Sequence, residues 1–225
     1  MTPSTVGPRD IPAATVSRLP VYLRALHAVA TRGVTRVSSD ELAGASGVRP
    51  TQLRKDLSHL GSLGVRGVGY DVGRLTALLT GALGLNRTWP VAIVGMGNLG
   101  RALAAYSGFA TEGFDVVALL DRDPALAGEH VGDLPITRMP TGGALAAFVR
   151  RLGIAIGVIA TPAESAQGVA DQLVGAGVEA ILNFAPAALS LPERVSVRRV
   201  DLATELHVLA FLRGHRGLPA GVVAG

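Results

Sequence analysis

Residues 91–100 read VAIVGMGNLG, four apolar residues followed by glycines spaced as G-x-G-x-x-G. The apolar run is typical of a short strand that is buried on both faces, and a helical pattern follows the third glycine. In such a unit Gly95 permits a tight turn, Gly97 lets the backbone approach a pyrophosphate, and Gly100 lets the helix pack closely on the strand. Because a helix N-terminus favours negative charge, the stretch predicts the phosphate-binding turn of a Rossmann-like fold.

Strands and helices continue to alternate on the C-terminal side of this turn. We predict three further strands and three helices, with the strands at residues 114–121, 154–160 and 179–185 and the helices at residues 101–107, 144–152 and 163–176. This alternation is typical of the α/β class and predicts a doubly wound parallel sheet over residues 86–200. One amphipathic helix, residues 201–214, lies beyond the sheet pattern, and residues 215–225 are predicted to be a tail.

The N-terminal side has the pattern of a winged helix-turn-helix, which we predict over residues 13–85. Residues 1–12 contain three prolines and are expected to be a flexible lead-in. Three helical stripes of apolar residues follow, and a turn containing Gly47 separates the second from the third. Residues 65–72, VRGVGYDV, then place glycines between β-favouring residues, as a tight hairpin requires. Helices and hairpin in this order define the winged helix-turn-helix motif.

Charge and composition limit the function classes. Residues 1–89 carry 11 Arg and Lys against 5 Asp and Glu, whereas residues 90–225 carry 10 against 12. A basic module joined to a mildly acidic one is typical of a DNA-binding domain on a ligand-binding domain. The chain has no Cys, which excludes disulfides and thiol switches, and we expect no metal. With no bilayer-length apolar run and no signal-peptide core, we expect a cytoplasmic protein without a membrane partner.

The nucleotide expected in the sheet is NADH or NAD⁺. The second predicted strand ends in Asp121, where a carboxylate can accept hydrogen bonds from both ribose hydroxyls of NAD. The same carboxylate would repel the 2′-phosphate of NADP. The positive charge of the neighbouring Arg122 works against that repulsion. Polar and proline residues follow the later strands, where they either border the nicotinamide or form ordinary strand-ending turns, and spacing alone does not separate the two. The alternative is a glycine-rich turn that binds another ligand, such as a coenzyme A thioester. The predicted contacts are Gly95, Met96, Gly97, Asn98, Leu99, Gly100, Asp121, Arg122, Thr161, Pro162, Asn183, Ala185 and Pro186.

The DNA-binding surface is expected on the third helix and the hairpin. On that helix the polar residues lie off the buried leucine stripe, where side chains can reach base edges in the major groove. An arginine at a glycine-flanked hairpin tip suits a narrow minor groove. Asp56 would repel phosphate if it faced DNA, so we expect it to orient a neighbouring arginine or to support the helix. The predicted DNA contacts are Arg18, Gln52, Arg54, Lys55, Ser58, Arg66 and Gly67.

With these motifs in order along the chain, the sequence closely resembles the Rex family of redox-sensing transcriptional repressors. The resemblance covers residues 11–212, nearly the whole chain. Two departures are His59 and Leu60, where the family commonly has Tyr and Phe. The stretches that carry the resemblance are IPAATVSRLPVYLRAL, QLRKDLSHLGSLGVRGVGYDVG, VAIVGMGNLGRALAAYSGF, ILNFAP and VDLATEL.

The resemblance implies a function and a switch. Family members are homodimers that bind palindromic operator DNA, are released by NADH and remain competent with NAD⁺. Their C-terminal helix is exchanged between subunits, which here implies a domain-swapped helix at residues 201–214. A tyrosine near the nicotinamide, matching Tyr106, and an aspartate on the swapped helix, matching Asp201, act together with an arginine on the first helix, matching Arg24. The resemblance implies that Asp201 alternates between the other two.

Two other functions remain open from the residues alone. An NAD-dependent oxidoreductase with a helical appendage would need a general acid or base near the nicotinamide, for which His207, with Tyr106 as a proton donor, is the candidate. A non-regulatory architectural protein would bind DNA with an affinity that is indifferent to nucleotide.

Overall fold

The computed structural model describes residues 11–61 and 69–215. It divides into two compact units, Met1–Arg87 and Thr88–Gly225. Most of the predicted N-terminal lead-in, the hairpin tip with Arg66 and Gly67, and the tail after His215 lie outside the described residues.

The N-terminal unit is a three-helix core with a two-stranded ribbon and a fourth helix. Ser38 accepts a hydrogen bond from the Glu41 amide while the Glu41 carboxylate accepts one from the Ser38 amide, so the second helix begins with a capping box. Pro50 stands in the first turn of the third helix, where its missing N–H costs nothing. The elements are α1 (Ala13–Ala30), β1 (Arg36–Val37), α2 (Ser39–Ala45), α3 (Pro50–Ser58), β2 (Tyr70–Asp71) and α4 (Val72–Ala82).

One apolar core holds this unit together. The two strands pair antiparallel, with Val37 opposite Tyr70. Strand β1 precedes α2 and was not predicted, so the hairpin predicted within residues 65–72 contributes only β2 to this pair, and its tip lies outside the described residues. The leucine stripes of the sequence meet at the centre of the unit, and the core includes Leu19, Leu23, Leu26, Leu42, Leu53, Leu57, Leu75 and Leu79.

The C-terminal unit is a seven-stranded sheet in which α-helices follow β3, β6, β7 and β9. Six strands are parallel, and β5 pairs antiparallel with β6 at one edge. Its elements are β3 (Trp89–Val94), α5 (Asn98–Ala104), α6 (Gly108–Thr111), β4 (Phe114–Asp121), β5 (His130–Val131), β6 (Leu134–Arg138), α7 (Gly142–Leu152), β7 (Ile156–Ile159), α8 (Ala163–Gly175), β8 (Ala180–Asn183), β9 (Ser196–Arg199) and α9 (Leu202–Gly214).

The strand order is β5-β6-β4-β3-β7-β8-β9. The chain passes from β3 outward through β4 to β6 and then returns to the other side of β3 with β7, so the direction of winding reverses between β3 and β7. Ligands in open α/β sheets bind at the carboxyl ends of the strands at such a reversal. The predicted glycine turn follows β3 and therefore lies at this point.

Strand β3 is buried on both faces, as its apolar run predicted. Val91 and Ile93 pack into one hydrophobic cluster, whereas Ala92 and Val94 pack into another. Alternate side chains of a strand point to opposite faces, so the sheet is covered by helices on both sides. The predicted α/β sheet is confirmed, with the antiparallel edge strand β5 as an addition.

Several elements differ from those expected, among them β1 and the short helix α6, which were not predicted. The helix predicted at residues 101–107 begins at Asn98 and ends at Ala104, which leaves Tyr106 in the turn before α6. The short strands β5 and β6 were not expected, and neither was the edge strand β9, in which all four residues are exposed.

Helix α9 is exposed along its length, including five large apolar side chains. Leu202, Leu206, Leu209, Phe211 and Leu212 are each 47–65% exposed. A single chain does not test whether a second subunit covers them, so the exchange of this helix stays a prediction. Within the described ranges, no helix combines the length and the apolarity that a membrane span needs.

Candidate nucleotide-binding and DNA-binding sites

In the glycine turn after β3, two of the three glycines have no room for a side chain, and one has free space beside it. Gly95 has φ +98°, and a Cβ there would lie 2.8 Å from the carbonyl oxygen of Ala160. A Cβ on Gly100 would lie 1.8 Å from the carbonyl oxygen of Gly95, so a larger residue would push α5 away from the strand. A Cβ on Gly97 would meet nothing within 4 Å. Space is therefore clear at the glycine expected to face a pyrophosphate.

Asp121 reaches from the end of β4 into this turn. Its Oδ2 accepts a hydrogen bond from the backbone N–H of Met96 at 2.6 Å, and its Oδ1 accepts one from the N–H of Asp123 at 2.9 Å. Each carboxylate oxygen has two lone pairs, and the residue is half-buried, so acceptor capacity remains on the exposed side. The carboxylate thus fixes the turn and can still receive ribose hydroxyls.

Arg101 and Glu129 also hold the turn, and the sequence did not single them out. The Nε of Arg101 donates to the carbonyl oxygen of Met96 at 3.0 Å, and its Nη2 pairs with Oε2 of Glu129 at 2.6 Å. The peptide groups on both sides of Met96 are therefore held by charged side chains. Glu129 lies 28 residues from Arg101 and belongs to no motif, so only the fold brings them together.

Thr161 borders the same turn from the end of β7. Its Cγ2 is 2.8 Å from the position of a Cβ on Gly95, and its buried Oγ1 has no hydrogen-bond partner. A buried hydroxyl without a hydrogen-bond partner next to the glycine turn suits a ligand with polar groups. Pro162 precedes α8 as its N-cap residue.

Two predicted nucleotide contacts have side chains turned to other partners. Arg122 Nη1 donates to Oγ of Ser165 on α8 at 3.3 Å. Asn183 is 1% exposed, donates from Nδ2 to the carbonyl oxygen of Ala187 at 2.8 Å and accepts from the N–H of Ala185 at 3.0 Å. Its amide closes the turn after β8, so Asn183 shapes the backbone there.

Tyr106 is 60% exposed in the turn after α5. Its ring packs edge-on against Phe109, with the ring centroids 5.2 Å apart. It lies over Gly108, where a Cβ would be 2.3 Å from the ring carbon Cζ. The phenol therefore lies at the surface of the C-terminal unit, and in the sequence it follows the glycine turn by six residues.

A polar cluster in the N-terminal unit surrounds Asp56, which is 1% exposed. This carboxylate accepts five hydrogen bonds of 2.6–3.0 Å from α1 and α3. We call it the Asp56 cluster, consisting of Asp56, Thr15, Arg18, Tyr22 and Gln52.

Ionisation in the Asp56 cluster follows from these contacts. Burial raises the pKa of Asp56, but the hydrogen bonds from Arg18, Tyr22, Gln52 and Thr15 outweigh it and hold the pKa well below the ordinary value of 3.8. The hydrogen bond to Asp56 raises the pKa of Arg18, and burial, with the same carboxylate, raises that of Tyr22. The cluster therefore keeps one buried negative charge matched by one arginine.

Three further predicted DNA contacts lie on the exposed side of α3. Arg54 is half exposed and 4.0 Å from Asp40, and Lys55 is exposed. Ser58 is exposed and donates to the carbonyl oxygen of Lys55 at 2.6 Å. The helix thus separates a leucine face in the core from a basic face in solvent.

Of the residues of the implied switch, Arg24 lies in the N-terminal unit, and Tyr106 and Asp201 lie in the C-terminal unit. Arg24 is exposed on α1. Asp201 caps α9 by accepting from the N–H groups of Ala203 and Thr204 at 3.1 and 3.2 Å, and it pairs with Arg199. The hydrogen bond from the Thr204 backbone, followed by the charge of Arg199, lowers the pKa of Asp201.

Family models match both units. Residues 10–58 match the family described as a putative DNA-binding protein N-terminus. Residues 86–187 match the family described as a CoA binding domain, whose name carries the ligand that the sequence left as an alternative.

Named relatives cover nearly the whole chain. The redox-sensing transcriptional repressor Rex of Streptomyces coelicolor is 56% identical over 203 residues, which are 90% of this chain and 78% of that protein. The crystal structure of RSP in complex with β-NADH is 35% identical, has a TM-score of 0.81 and covers 92% of this chain and 96% of that one. RSP in complex with β-NAD⁺ and operator DNA is 36% identical, with a TM-score of 0.85 and coverage of 92% and 94%.

These relatives carry the name of transcriptional repressors, which decides between the regulator and the dehydrogenase left open by the sequence. His207, the candidate acid–base residue of the dehydrogenase, is exposed on α9. A DNA-binding N-terminal domain is followed by a Rossmann-like domain, and the likeness extends through both. The chain therefore belongs to the Rex family of redox-sensing transcriptional repressors.

Proposed function

We propose that this chain represses transcription by binding palindromic operator DNA as a homodimer, and that NADH releases it, so that DNA occupancy follows the NADH/NAD⁺ ratio. The observation that carries the proposal is the likeness over 92% of the chain to RSP, which has been solved with β-NADH and with β-NAD⁺ and operator DNA. A cytoplasmic location is part of the proposal, because operator DNA and the nicotinamide pool must both be accessible to it.

The adenosine half of the nucleotide is proposed to bind along the glycine turn and Asp121. The open position at Gly97 accommodates a pyrophosphate, and the exposed side of the Asp121 carboxylate accepts the ribose hydroxyls. Arg122, the cation next to Asp121 in sequence that would favour a 2′-phosphate, donates to Ser165 instead. These contacts support NAD(H) over NADP(H). They also argue against coenzyme A, whose 3′-phosphate the same carboxylate would repel.

The nicotinamide half is proposed to lie near Tyr106, Thr161 and the turn after β8. The reduced ring is neutral and the oxidised ring is a cation, so a pocket without a compensating anion favours NADH. Thr161 contributes an unpaired hydroxyl, and Asn183 holds the turn in shape through Ala185 and Ala187. Tyr106 supplies an exposed aromatic ring.

The link between nucleotide and DNA is proposed to be the alternation of Asp201 between Tyr106 and Arg24. Asp201 already has a partner in Arg199, so either new contact must compete with that ion pair. The exposed apolar side chains of α9 support a swapped helix, because a partner subunit would bury them. Movement of that helix would then change the spacing of the two DNA-binding units relative to the operator half-sites.

The proposal is tested by the electrophoretic mobility of a promoter fragment with no nucleotide, with NAD⁺ and with NADH, at one salt concentration. We expect retardation in the first two samples and release in the third. DNA binding that is indifferent to nucleotide would contradict the proposal and indicate an architectural protein, and steady NADH oxidation with carbonyl substrates would indicate an oxidoreductase.

The switch has its own test in Asp201→Ala. We expect this variant to bind NADH with nearly the wild-type affinity, measured by nicotinamide fluorescence, but to remain on DNA at NADH concentrations that release the wild type. Release at the wild-type concentration would contradict the role of Asp201 and leave the rest of the proposal standing.

A further inference from the structure

We infer that Asp56 is a positioning residue for operator recognition: it fixes the orientation of the Gln52 amide on the recognition helix and of the Arg18 guanidinium on α1, although it does not touch DNA itself. The inference rests on the proposed function, because it assumes that α3 meets DNA. It assigns to one buried carboxylate the alignment of two predicted DNA contacts.

The first step is the placement of the donors. Thr15, Arg18 and Tyr22 are spaced three and four residues apart and so share one face of α1, which is turned toward α3. Gln52 lies four residues before Asp56 on α3 and donates to Oδ1 at 2.8 Å. The carboxylate is therefore the polar connection between the two helices.

The second step is the direction of the Gln52 amide. An ionised carboxylate only accepts hydrogen bonds, so the amide must turn its Nε2 toward Asp56. The second N–H and the Oε1 of Gln52 remain, and a donor and acceptor side by side are what the edge of adenine requires in the major groove. Gln52 is only partly buried, so this remaining pair is accessible to a base.

The third step is that the nitrogens of the Arg18 guanidinium are shared between Asp56 and solvent. Nε and Nη2 donate to the two oxygens of Asp56 at 2.6 and 2.8 Å, and the side chain is 28% exposed. This two-point contact fixes the plane of the guanidinium and leaves Nη1 for a phosphate oxygen. At 1% exposure, the charge of Asp56 is shielded from the DNA by its own donors.

The chain contains a matched control on α8. Gln167 donates from Nε2 to Oδ1 of Asp171, also four residues apart and also at 2.8 Å. That pair is exposed and lies in the other unit. Asp171→Asn therefore makes the same chemical change to the same kind of pair, away from the predicted DNA surface.

The experiment compares the dissociation constants of the full-length proteins for two duplexes. One duplex is selected from a random pool by the wild-type protein, and the other has the same composition in scrambled order. We expect Asp56→Asn to lower the preference for the selected duplex about tenfold, because an asparagine presents an N–H to groups that also donate. Affinity for the scrambled duplex should not fall, since the change removes a negative charge.

A second variant keeps the test decisive if Asp56→Asn does not fold. Tyr22 is fully buried and donates to Oδ2 of Asp56 at 2.6 Å, so it does not reach DNA. We expect Tyr22→Phe, which removes only the hydroxyl, to lower the preference for the selected duplex about threefold. The reason is that Asp56 loses one donor, and its carboxylate then holds Gln52 and Arg18 less firmly. Asp171→Asn should retain the wild-type preference.

Three results would count against the inference. An unchanged preference in the folded variants would overturn it, and so would an equal loss of affinity for both duplexes, which a merely structural role predicts. A wild-type protein that selects no duplex would overturn the proposed function, and the inference with it. Those outcomes are distinguishable because the last one is read from the wild type alone.

Discussion

Each unit of this protein organises its proposed binding surface around one aspartate, but the two carboxylates differ in what remains available to a ligand. Asp56 accepts five hydrogen bonds from side chains and is 1% exposed. Asp121 accepts two from backbone N–H groups and is only half-buried. The first therefore acts on DNA only through its neighbours, whereas the second both shapes its turn and can receive a nucleotide.

The difference shows that the same residue type serves two purposes according to the number of donors around it. A carboxylate has about four lone-pair positions. When protein donors occupy all of these positions, the carboxylate can stabilise the fold and orient its donors, but it cannot bind a ligand. When some of these positions stay open toward solvent, the carboxylate can bind a ligand. Replacing such a residue should then lower the affinity for the ligand more than it lowers the free energy of unfolding.

The largest effect that this comparison predicts is on folding at the closed carboxylate. Asp56→Ala leaves the donors of the Asp56 cluster without their acceptor, so we expect the free energy of unfolding of the N-terminal unit to fall by about 3 kcal/mol. Hydrogen exchange of peptides from α1 and α3 in the full-length protein measures it. Asp171→Ala, at the exposed pair, should change its own unit by less than about 0.5 kcal/mol, and equal effects of the two changes would break the comparison.

The next effect concerns the glycine turn that Asp121 holds. Gly97→Ala meets open space, so the free energy of unfolding should stay within about 0.5 kcal/mol of the wild type. The added methyl group occupies the pyrophosphate position, and we expect NADH affinity to fall by about 2 kcal/mol, or roughly thirtyfold. Nicotinamide fluorescence titration and urea unfolding separate the two quantities.

Gly100→Ala is the contrasting change in the same turn. Its Cβ would lie 1.8 Å from the Gly95 carbonyl oxygen, so it should destabilise the C-terminal unit by about 2 kcal/mol. If Gly97→Ala destabilises folding as much as Gly100→Ala does, Gly97 is a structural glycine and not a ligand-facing one.

A smaller effect is expected at the open carboxylate itself. Asp121→Asn keeps one acceptor oxygen for the turn but removes the charge, so NADH affinity should fall about tenfold, and the preference for NADH over NADPH should narrow. Isothermal titration with both nucleotides measures this. Asp115→Asn, an exposed change at the start of the same strand, is the control. An unaltered preference would show that Asp121 does not meet the ribose.

The smallest effect is the pH dependence near neutrality. The folded pKa of Asp56 is depressed, so its contribution to stability is present above its ordinary pKa of 3.8 and is lost as the pH falls through the lower folded value. The difference in unfolding free energy between wild type and Asp56→Asn should therefore be constant from about pH 7 to pH 5 and shrink below about pH 4. Urea unfolding followed by circular dichroism checks it, and a difference that changes between pH 7 and pH 5 would contradict the depressed pKa.

The sequence predicted best the elements with a strong local pattern. β3 and β4 are apolar runs buried on both faces, and the leucine stripes of α1 and α3 mark their core sides. β9 escaped prediction because all four of its residues are exposed at a sheet edge, so no apolar periodicity marks it. The helix after the glycine turn was misplaced because Tyr106 continues the helical pattern although the chain turns before it.

By itself, the sequence predicted the two-unit order and the glycine turn, because strand and helix periods, glycine spacing and charge balance are local properties of the chain, and its resemblance to known motifs predicted the family. The reversal of strand order at that turn was established only by the sheet topology. Only the tertiary structure decided that protein donors fill the acceptor positions of Asp56 and that the carboxylate of Asp121 keeps acceptor positions free for a ligand. Those contacts join residues 25 to 41 positions apart, apart from Gln52 and Asp123, and the number of donors around a carboxylate depends on how whole elements pack. For the same reason Arg101 and Glu129 became visible only in the fold.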